Sequence, residues 1–274
     1  MAHLAPPRER GATPVVDPRV RLAAHREAVP WWVNPVVIVL ALTLWETLVR
    51  IGVLQALYFP PPTAVGRRLF ELFADGTYLD HGRTTLYRMA FGLVVGASLG
   101  FFLGVAMGRS QPLRRIVDPI ISALYPIPKI AILPLVMIYL GIGEASKLFV
   151  IVIGAFFPML ISTLTGVVTI PSIYFEVAAN YGSGPLHLLR RVILPASLPT
   201  VLGGFRIALN SVIHITIAVE IVSAVTGLGS LVWLSWETLD VERLYATLTV
   251  IAVLGVVTTY GVNRLSRKLV PWRT

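Results

Sequence analysis

The chain has 274 residues, of which 55% are hydrophobic and 14% are charged, with a formal net charge of +9 and a mean hydropathy of +0.77. Ordinary soluble domains carry about 25% charged residues, so this composition excludes a water-soluble globular protein and predicts a membrane protein. The sequence contains no cysteine, which excludes disulfides and thiolate metal ligands.

Six apolar runs are each long enough to cross about 30 Å of hydrocarbon as a helix. They leave room for short loops but not for a separate soluble catalytic domain, so we expect one all-α polytopic bundle over residues 31–274. The predicted spans cover residues 33–49, 89–108, 119–140, 148–168, 201–224 and 244–262.

Residues 1–30 are rich in proline and arginine and are predicted to form a disordered basic tail rather than a cleavable signal peptide. Basic residues favour the cytoplasmic side of a membrane. Fourteen lie on the side of this tail and seven on the opposite side, so we expect both termini in the cytoplasm. This topology and anionic lipid headgroups explain the positive charge better than nucleic acid does.

The second span follows a long polar stretch, which we interpret over residues 64–88 as an amphipathic surface helix and a lead-in to the span. Within the span a glycine recurs at every fourth position, which predicts a ridge that another helix backbone approaches closely. The ridge consists of Gly92, Gly96, Gly100, Gly104 and Gly108.

The third span contains the sequence YPIPKIAILP, in which Pro126, Pro128 and Pro134 each remove a backbone donor and disturb the helix. Lys129 lies among these prolines. An ionisable residue inside the membrane is a functional-site hypothesis by default. If the span begins late, however, the amine simply reaches the cytoplasmic headgroups, and both interpretations stay open.

A polar insert over residues 172–199 follows the fourth span. We expect a short helix over residues 172–181, a turn at residues 182–184 and a second helix that begins at Pro185, the position where a missing N–H is tolerated. Pro195 and Pro199 are expected to stop that helix. About ten residues are too short to cross the membrane, so the insert is either a docking element or a helix that binds only lipid.

The fifth span is the most polar. Arg206, Asn210 and His214 recur at every fourth position and form one helical stripe, while Thr216, Glu220 and Ser223 follow nearer its outer end. Such residues either line an aqueous path or form hydrogen bonds between helices. His214 has no second ligand at metal-binding spacing. The candidate path residues are Lys129, Asn210, His214 and Glu220.

The insert resembles the cytoplasmic signature loop of binding-protein-dependent ABC importer permeases. Its pattern is Glu-Ala-Ala, three residues, Gly, nine residues, Ile, one residue and Leu-Pro, and the spacing here is the same. Segments 59–92, 118–147 and 218–229 resemble the permeases of nitrate, sulfonate, taurine and bicarbonate importers. The matching loop positions are Glu176, Val177, Ala178, Gly182, Val192, Leu194 and Pro195, with valine replacing alanine at 177 and isoleucine at 192.

This resemblance implies a type I importer permease in a bacterial cytoplasmic membrane. It implies two ATPase subunits, a second permease subunit, expected to be a copy of this chain, and an extracytoplasmic binding protein. By position, Glu176 would make a polar contact with the ATPase, Ala178 would allow close approach and Gly182 would form the bend. Leu194 and Pro195 would anchor the loop to the membrane core. ATP and Mg²⁺ would bind the partner ATPase, with no cofactor on this chain.

Two other classes of protein remain to be weighed. A secondary transporter or channel would show similar spans, but the sequence shows no charged pair at mid-membrane positions that could act as a proton relay, and no evident inverted repeat. An intramembrane enzyme would need a nucleophile with its base or a metal cluster, and no such pattern is apparent. The segment GIGEASK, residues 141–147, lacks the second glycine of a P-loop, so we do not expect this chain to bind ATP through one. Lys129 and Arg206 suit a small oxyanion such as a sulfonate, nitrate or carboxylate.

Overall fold

The computed structural model of the protein describes residue 30 and residues 32–223 and 225–269, and the regular structure within them is helical. The predicted tail therefore lies outside the described residues, apart from Pro30. The helices are α1 (Val33–Arg50), α2 (Pro62–Ala74), α3 (Thr77–Arg109), α4 (Gln111–Leu124), α5 (Leu133–Leu140), α6 (Glu144–Val168), α7 (Ser172–Asn180), α8 (Pro185–Leu188), α9 (Leu194–Ser223), α10 (Leu228–Glu237) and α11 (Val241–Leu269).

Helices α3 and α6 form the central pair of the bundle, and the predicted glycine ridge is their interface. A Cβ placed on Gly96 would lie 2.8 Å from the Ala155 Cβ, and one on Gly104 would lie 2.8 Å from the Leu160 oxygen. Glycine therefore allows a backbone approach that no larger residue permits. Residue numbers rise together along both helices, so α3 and α6 are parallel.

Parallel neighbours require the chain to cross the bundle once between them. Helix α4, a 3₁₀ turn over Lys129–Ile132 and α5 make that crossing, with a bend of 90° between the two helical parts. The predicted span at 119–140 is thus a broken one, as its prolines indicate, because the α-helix ends at Leu124 and resumes at Leu133. Five described helices are long and apolar enough to span a membrane, and this bent pair supplies a sixth crossing.

Helix α9 runs antiparallel to α6. Gly166 of α6 faces Ser197 and Thr200 near the start of α9, whereas Gly154 faces Ile215 near its end. The core between these helices and α3 is formed by fully buried aliphatic side chains, which stabilise the bundle through close van der Waals packing. They include Ile151, Ala155, Ala208 and Val212.

Helix α9 also continues backward into the polar insert. Residues Pro185–Ser223 form one helical run of 39 residues, so the expectation that Pro195 and Pro199 stop the helix is wrong. A π-helical turn over Leu189–Ile193 ends two residues before Pro195, and the N–H of the next residue, Leu194, donates to the Leu189 carbonyl oxygen. The wider turn accommodates the proline ring, which would clash with a carbonyl in a regular α-helix.

The polar stretch before the second span also differs from expectation. Helix α2 is amphipathic and is tied to the start of α11 by Arg68, whose Nη2 lies 2.9 Å from Asp240 Oδ2. The chain then turns at Asp75, where a hydrogen bond from the Thr77 N–H lowers the pKa of the Asp75 carboxyl. Helix α3 begins at Thr77, so Arg88 is not in a surface lead-in but inside a helix, with no exposed surface.

Candidate functional site

The insert between α6 and α9 forms two short helices joined by a tight turn. Helix α7 ends in a Schellman motif, in which the Gly182 N–H donates to the Ala179 oxygen and the Ser183 N–H donates to the Ala178 oxygen, both at 2.9 Å. Gly182 has a φ of +65°, a conformation that favours glycine. The predicted helix, turn and second helix are thus confirmed, and the turn depends on Gly182.

The outer surface of this loop is exposed. Glu176 and Gly182 are exposed, and Val177 keeps 46% of its surface. Ala178 is 8% exposed and packs toward its own chain, so of the three signature positions on α7 only Glu176 and Val177 are open to a partner. Tyr181 and Leu186 are also exposed on this loop. The roles of these residues in binding an ATPase stay predictions.

The base of the loop is held by a residue that the sequence analysis did not single out. Ile193 is fully buried and packs with Val105, Val167 and Ile170 at the ends of α3 and α6. Val192 and Leu194 are half-buried and Pro195 is exposed. The strongest anchor is therefore Ile193, which follows Val192 in the pattern. Its spacing from Leu186 and Leu189 places it on the apolar face of the second helix, and the packing shows which residues it contacts.

The exposed polar stripe of α9 faces a cleft. Asn210 and His214 line a cavity of about 400 Å³ between α9 and α11, and Arg206 is exposed one turn earlier. The His214 ring nitrogen Nδ1 lies 2.7 Å from the backbone carbonyl oxygen of Asn210. Two of the four candidate path residues therefore line one cleft, as the spacing predicts. Their role in a translocation path stays a prediction.

Glu220 lies on a different face of α9 and is fully buried. Its carboxylate accepts hydrogen bonds from the Thr85 hydroxyl and the Gly229 N–H, each at 3.0 Å, and from Arg88 Nη1 at 2.8 Å. The structure thus separates Glu220 from Asn210 and His214, and gives it a partner on α3.

Arg88 connects three helices through charged groups. In addition to Glu220 it binds Glu144 at the start of α6 in a bidentate manner, with Nη2 at 2.6 Å and Nε at 2.9 Å from the two carboxylate oxygens. Lys147 Nζ lies 3.1 Å from the same Glu144 carboxylate. The sequence analysis did not predict this network, because it placed Arg88 before the second span and because the partners of Arg88 are distant in the chain. The network lies near the start of α6 and the end of α9 rather than at the middle of the spans.

Lys129, the fourth candidate, lies at the bend between α4 and α5. Its amine donates to the Tyr125 carbonyl and lies 4.6 Å from the centre of the Tyr125 ring and 5.3 Å from that of Phe157. The residue is not near Asn210 or His214 in this arrangement, since it lines a separate cavity with α6.

Residues 96–271 match the protein family described as the binding-protein-dependent transport system inner membrane component. The chain belongs to this family. The matched region includes the exposed loop, the continuous helix and the polar stripe, so the surface and the cleft described above are parts of a transport permease.

Two curated relatives align with most of this permease chain. It is 35% identical to the taurine transport system permease protein TauC of Escherichia coli, over 84% of this chain and 86% of that protein. It is 30% identical to the putative aliphatic sulfonates transport permease protein SsuC of Bacillus subtilis, over 93% of this chain and 92% of that protein.

The fold also matches a solved transporter. The permease superposes on a chain of the MetNI methionine ABC transporter, in an inward-facing conformation, with a TM-score of 0.60 and 20% identity, over 70% of this chain and 97% of that one. The expected all-α fold of an ABC importer permease is thereby confirmed. The relatives are named as transport permease proteins, and the family description is that of a membrane component of binding-protein-dependent transport systems.

Proposed function

We propose that this permease imports a small sulfonate, with taurine and short alkanesulfonates as the substrate class, and that it is driven by a separate ATPase. Two observations support the substrate class. The curated relatives named above carry taurine and aliphatic sulfonates in their names, and the described cavities contain basic or polar side chains on otherwise apolar walls.

The observation that carries the proposal is the continuity of the loop with the transport core. The exposed surface around Glu176 and Gly182 leads through Pro185 into one helical run of 39 residues, about 58 Å at 1.5 Å per residue. The same run carries Asn210 and His214 in the cleft and Glu220 in the buried network. Motion of the loop therefore reaches the cleft through a single helix.

In the proposed cycle, two copies of this chain assemble with two ATPase subunits, which bind ATP and Mg²⁺, and with an extracytoplasmic binding protein. Glu176 and Val177 contact the ATPase, and Ile193 transmits displacement of the loop to α3 and α6. ATP binding favours one orientation of the bundle and hydrolysis with product release favours the other, because the nucleotide has a different affinity for each state.

The proposed orientation places both termini and the loop in the bacterial cytoplasm. Arg109 ends α3, Arg114 and Arg115 lie in the first two turns of α4, and Arg190 and Arg191 lie in the insert. The positive-inside tendency favours the cytoplasmic side for these arginines. Glu144 and Glu220 then lie toward the opposite side. Alkylation of single cysteines introduced into loop 172–199 of intact cells and inverted vesicles tests this orientation.

A transporter that works without an ATPase is the second candidate. The buried Arg88–Glu220 pair favours it, since charged residues within spans are frequent in proton relays. Hydrogen bonds to fixed protein groups already occupy both members of the pair, however, which disfavours a proton relay. Membership of a binding-protein-dependent family also favours the ATP-driven importer.

The test is uptake by the complete system in proteoliposomes. The permease is reconstituted with its ATPase and binding protein, and uptake of taurine, butanesulfonate, nitrate, bicarbonate and acetate is compared with and without internal ATP. We expect ATP-dependent uptake of sulfonates. ATP-dependent uptake of another class would overturn the substrate assignment, and sulfonate uptake without an ATPase would overturn the energy source.

A further inference from the structure

We infer that the cavity beside Lys129 is a binding site, within the membrane, for an organic monoanion with a short apolar tail. This inference rests on the proposed function for the choice of sulfonate but is carried by the geometry of the bend. The motif that contains Lys129 has no role in the loop, the α9 cleft or the buried charge network.

The depth of Lys129 decides between the two interpretations of its charge. Its amine lies over the ring of Phe157, the fourteenth of the 25 residues of α6. At 1.5 Å per residue, Phe157 is about 17–20 Å from either end of the helix. Lysines that reach the headgroups lie near helix ends, whereas this half-buried amine lies level with the middle of α6. At that depth in the membrane a charge is costly unless it has a function.

The amine is held but not neutralised. Its contacts are the Tyr125 carbonyl and the faces of two aromatic rings, and it forms no salt bridge with any carboxylate of the described residues, in contrast to Lys147 and Arg88. Cation–π contacts and a carbonyl position an ammonium without cancelling its charge. An arriving anion therefore does not have to displace a carboxylate.

The cavity around the amine is apolar and of molecular size. Its volume is about 280 Å³, near the lower end of the range of roughly 300–1,000 Å³ for small-molecule pockets. A single cation in an apolar wall selects a ligand with one anionic group and a short hydrocarbon chain, rather than a fully hydrated inorganic oxyanion. The other lining residues are Leu124, Ile127, Ile132, Ile153, Phe156 and Phe157.

The dependence of binding affinity on the length of the ligand's alkyl chain provides a second, independent test of this site. Burial of each methylene raises affinity about fourfold, so butanesulfonate is expected to bind more than tenfold tighter than methanesulfonate. Ile153→Trp fills the apolar part of the cavity. It is expected to abolish this preference while binding of methanesulfonate changes less than threefold.

Equilibrium dialysis of radiolabelled butanesulfonate against the full chain, assembled with its ATPase in nanodiscs, tests the site. Lys129→Gln is expected to weaken binding at least tenfold, and Lys129→Arg to remain within about threefold of the unmodified chain. Lys268→Gln, at an exposed lysine of α11, is the matched control and is expected to bind normally. Butylammonium, of the same length and opposite charge, is expected not to compete.

Unchanged butanesulfonate binding by Lys129→Gln, or no binding by the unmodified chain, overturns the inference. Loss of permease dimers in Lys129→Gln also overturns it, because Lys129 would then pair with a carboxylate of the second copy. These outcomes are separable from uptake. If the transporter takes up sulfonates but Lys129→Gln binds butanesulfonate normally, only the binding-site inference is overturned. If binding depends on Lys129 but the transporter takes up no sulfonate, only the proposed transport substrate is overturned.

Discussion

Arg88 and Glu220 show how a charged pair is tolerated inside this bundle. Both side chains are fully buried, and burial of a charge is strongly unfavourable unless it is paired and hydrogen-bonded. The guanidinium donates to two carboxylates and to the Thr226 oxygen, and Glu220 accepts from Thr85 and Gly229. The pair therefore joins α3 to the turn that follows α9.

We predict that Glu220→Gln destabilises the bundle by about 3–5 kcal/mol, the usual effect of removing one partner of a buried ion pair. The substitution preserves shape but leaves Arg88 with the half-exposed Glu144 as its only carboxylate. Thermal unfolding of the permease in nanodiscs measures the loss. Glu71→Gln, which removes an exposed carboxylate near Arg67 and Arg68, is the control and is expected to cost less than about 1 kcal/mol. Equal losses in the two variants would contradict the role of Glu220.

At the scale of the element, the α3–α6 pair depends on the absence of side chains along one ridge. A Cβ on Gly96 would lie 2.8 Å from the Ala155 Cβ, closer than real carbon contacts, and both helices are braced by the core around them. Packing of this kind is destabilised by small-to-large substitutions.

We therefore predict opposite effects for two substitutions on the same helix. Gly96→Ala is expected to destabilise the bundle by about 1–3 kcal/mol, because α3 and α6 must separate. Gly82→Ala, at a position where an added Cβ meets nothing within 4 Å, is expected to stabilise α3 by up to about 1 kcal/mol. Thermal unfolding checks both, and a shift of the same sign in the two variants would show that the ridge is not the interface.

The polar stripe of α9 gives a prediction about transport rather than stability. Asn210 and His214 are exposed to one cleft, so replacing both with alanine is expected to raise the KM for uptake about tenfold with little loss of folded protein. Thr249→Ala, an exposed position on α11, is the control. If the double variant transports with the KM and substrate preference of the unmodified permease, the stripe has only a structural role.

The sequence predicted the elements that depend on local pattern and missed those that depend on distant partners. The four-residue glycine period predicted the α3 ridge, and Gly182 with Pro185 predicted the turn of the loop, because both signals act within a few residues. The 90° bend at Lys129 and the π-turn before Pro195 follow from packing around prolines, which a proline alone does not specify. Arg88 could not be assigned, since its carboxylates lie 56 and 132 residues away.

For the whole molecule, the central claim is that the loop at 172–199 couples an ATPase to the bundle. The mechanical connection is the continuous run from Pro185 to Ser223, which begins beside the Gly182 turn and ends beside the Arg88–Glu220 pair. Under this claim, a change in the direction of the loop displaces α9 along its axis, and through Ile193 it displaces α3 and α6.

Substitutions at two glycines of the loop, Gly182 and Gly184, distinguish an effect on coupling from an effect on folding. Gly182 has a φ of +65° with open space around it, so a side chain there is disfavoured by backbone strain of about 1–2 kcal/mol and not by a clash. Gly184 has a φ of −67° and no neighbour within 4 Å of an added Cβ, so it tolerates a side chain. Gly182→Val is expected to displace the loop, and Gly184→Val is not.

The most direct measurement is therefore sulfonate-stimulated ATPase activity of the complete transporter in nanodiscs, with the unmodified permease, Gly182→Val and Gly184→Val. We predict stimulation with the unmodified permease and with Gly184→Val. With Gly182→Val we predict correct insertion but at least a tenfold loss of stimulation. Full stimulation with Gly182→Val would contradict the assignment of the loop as the coupling element.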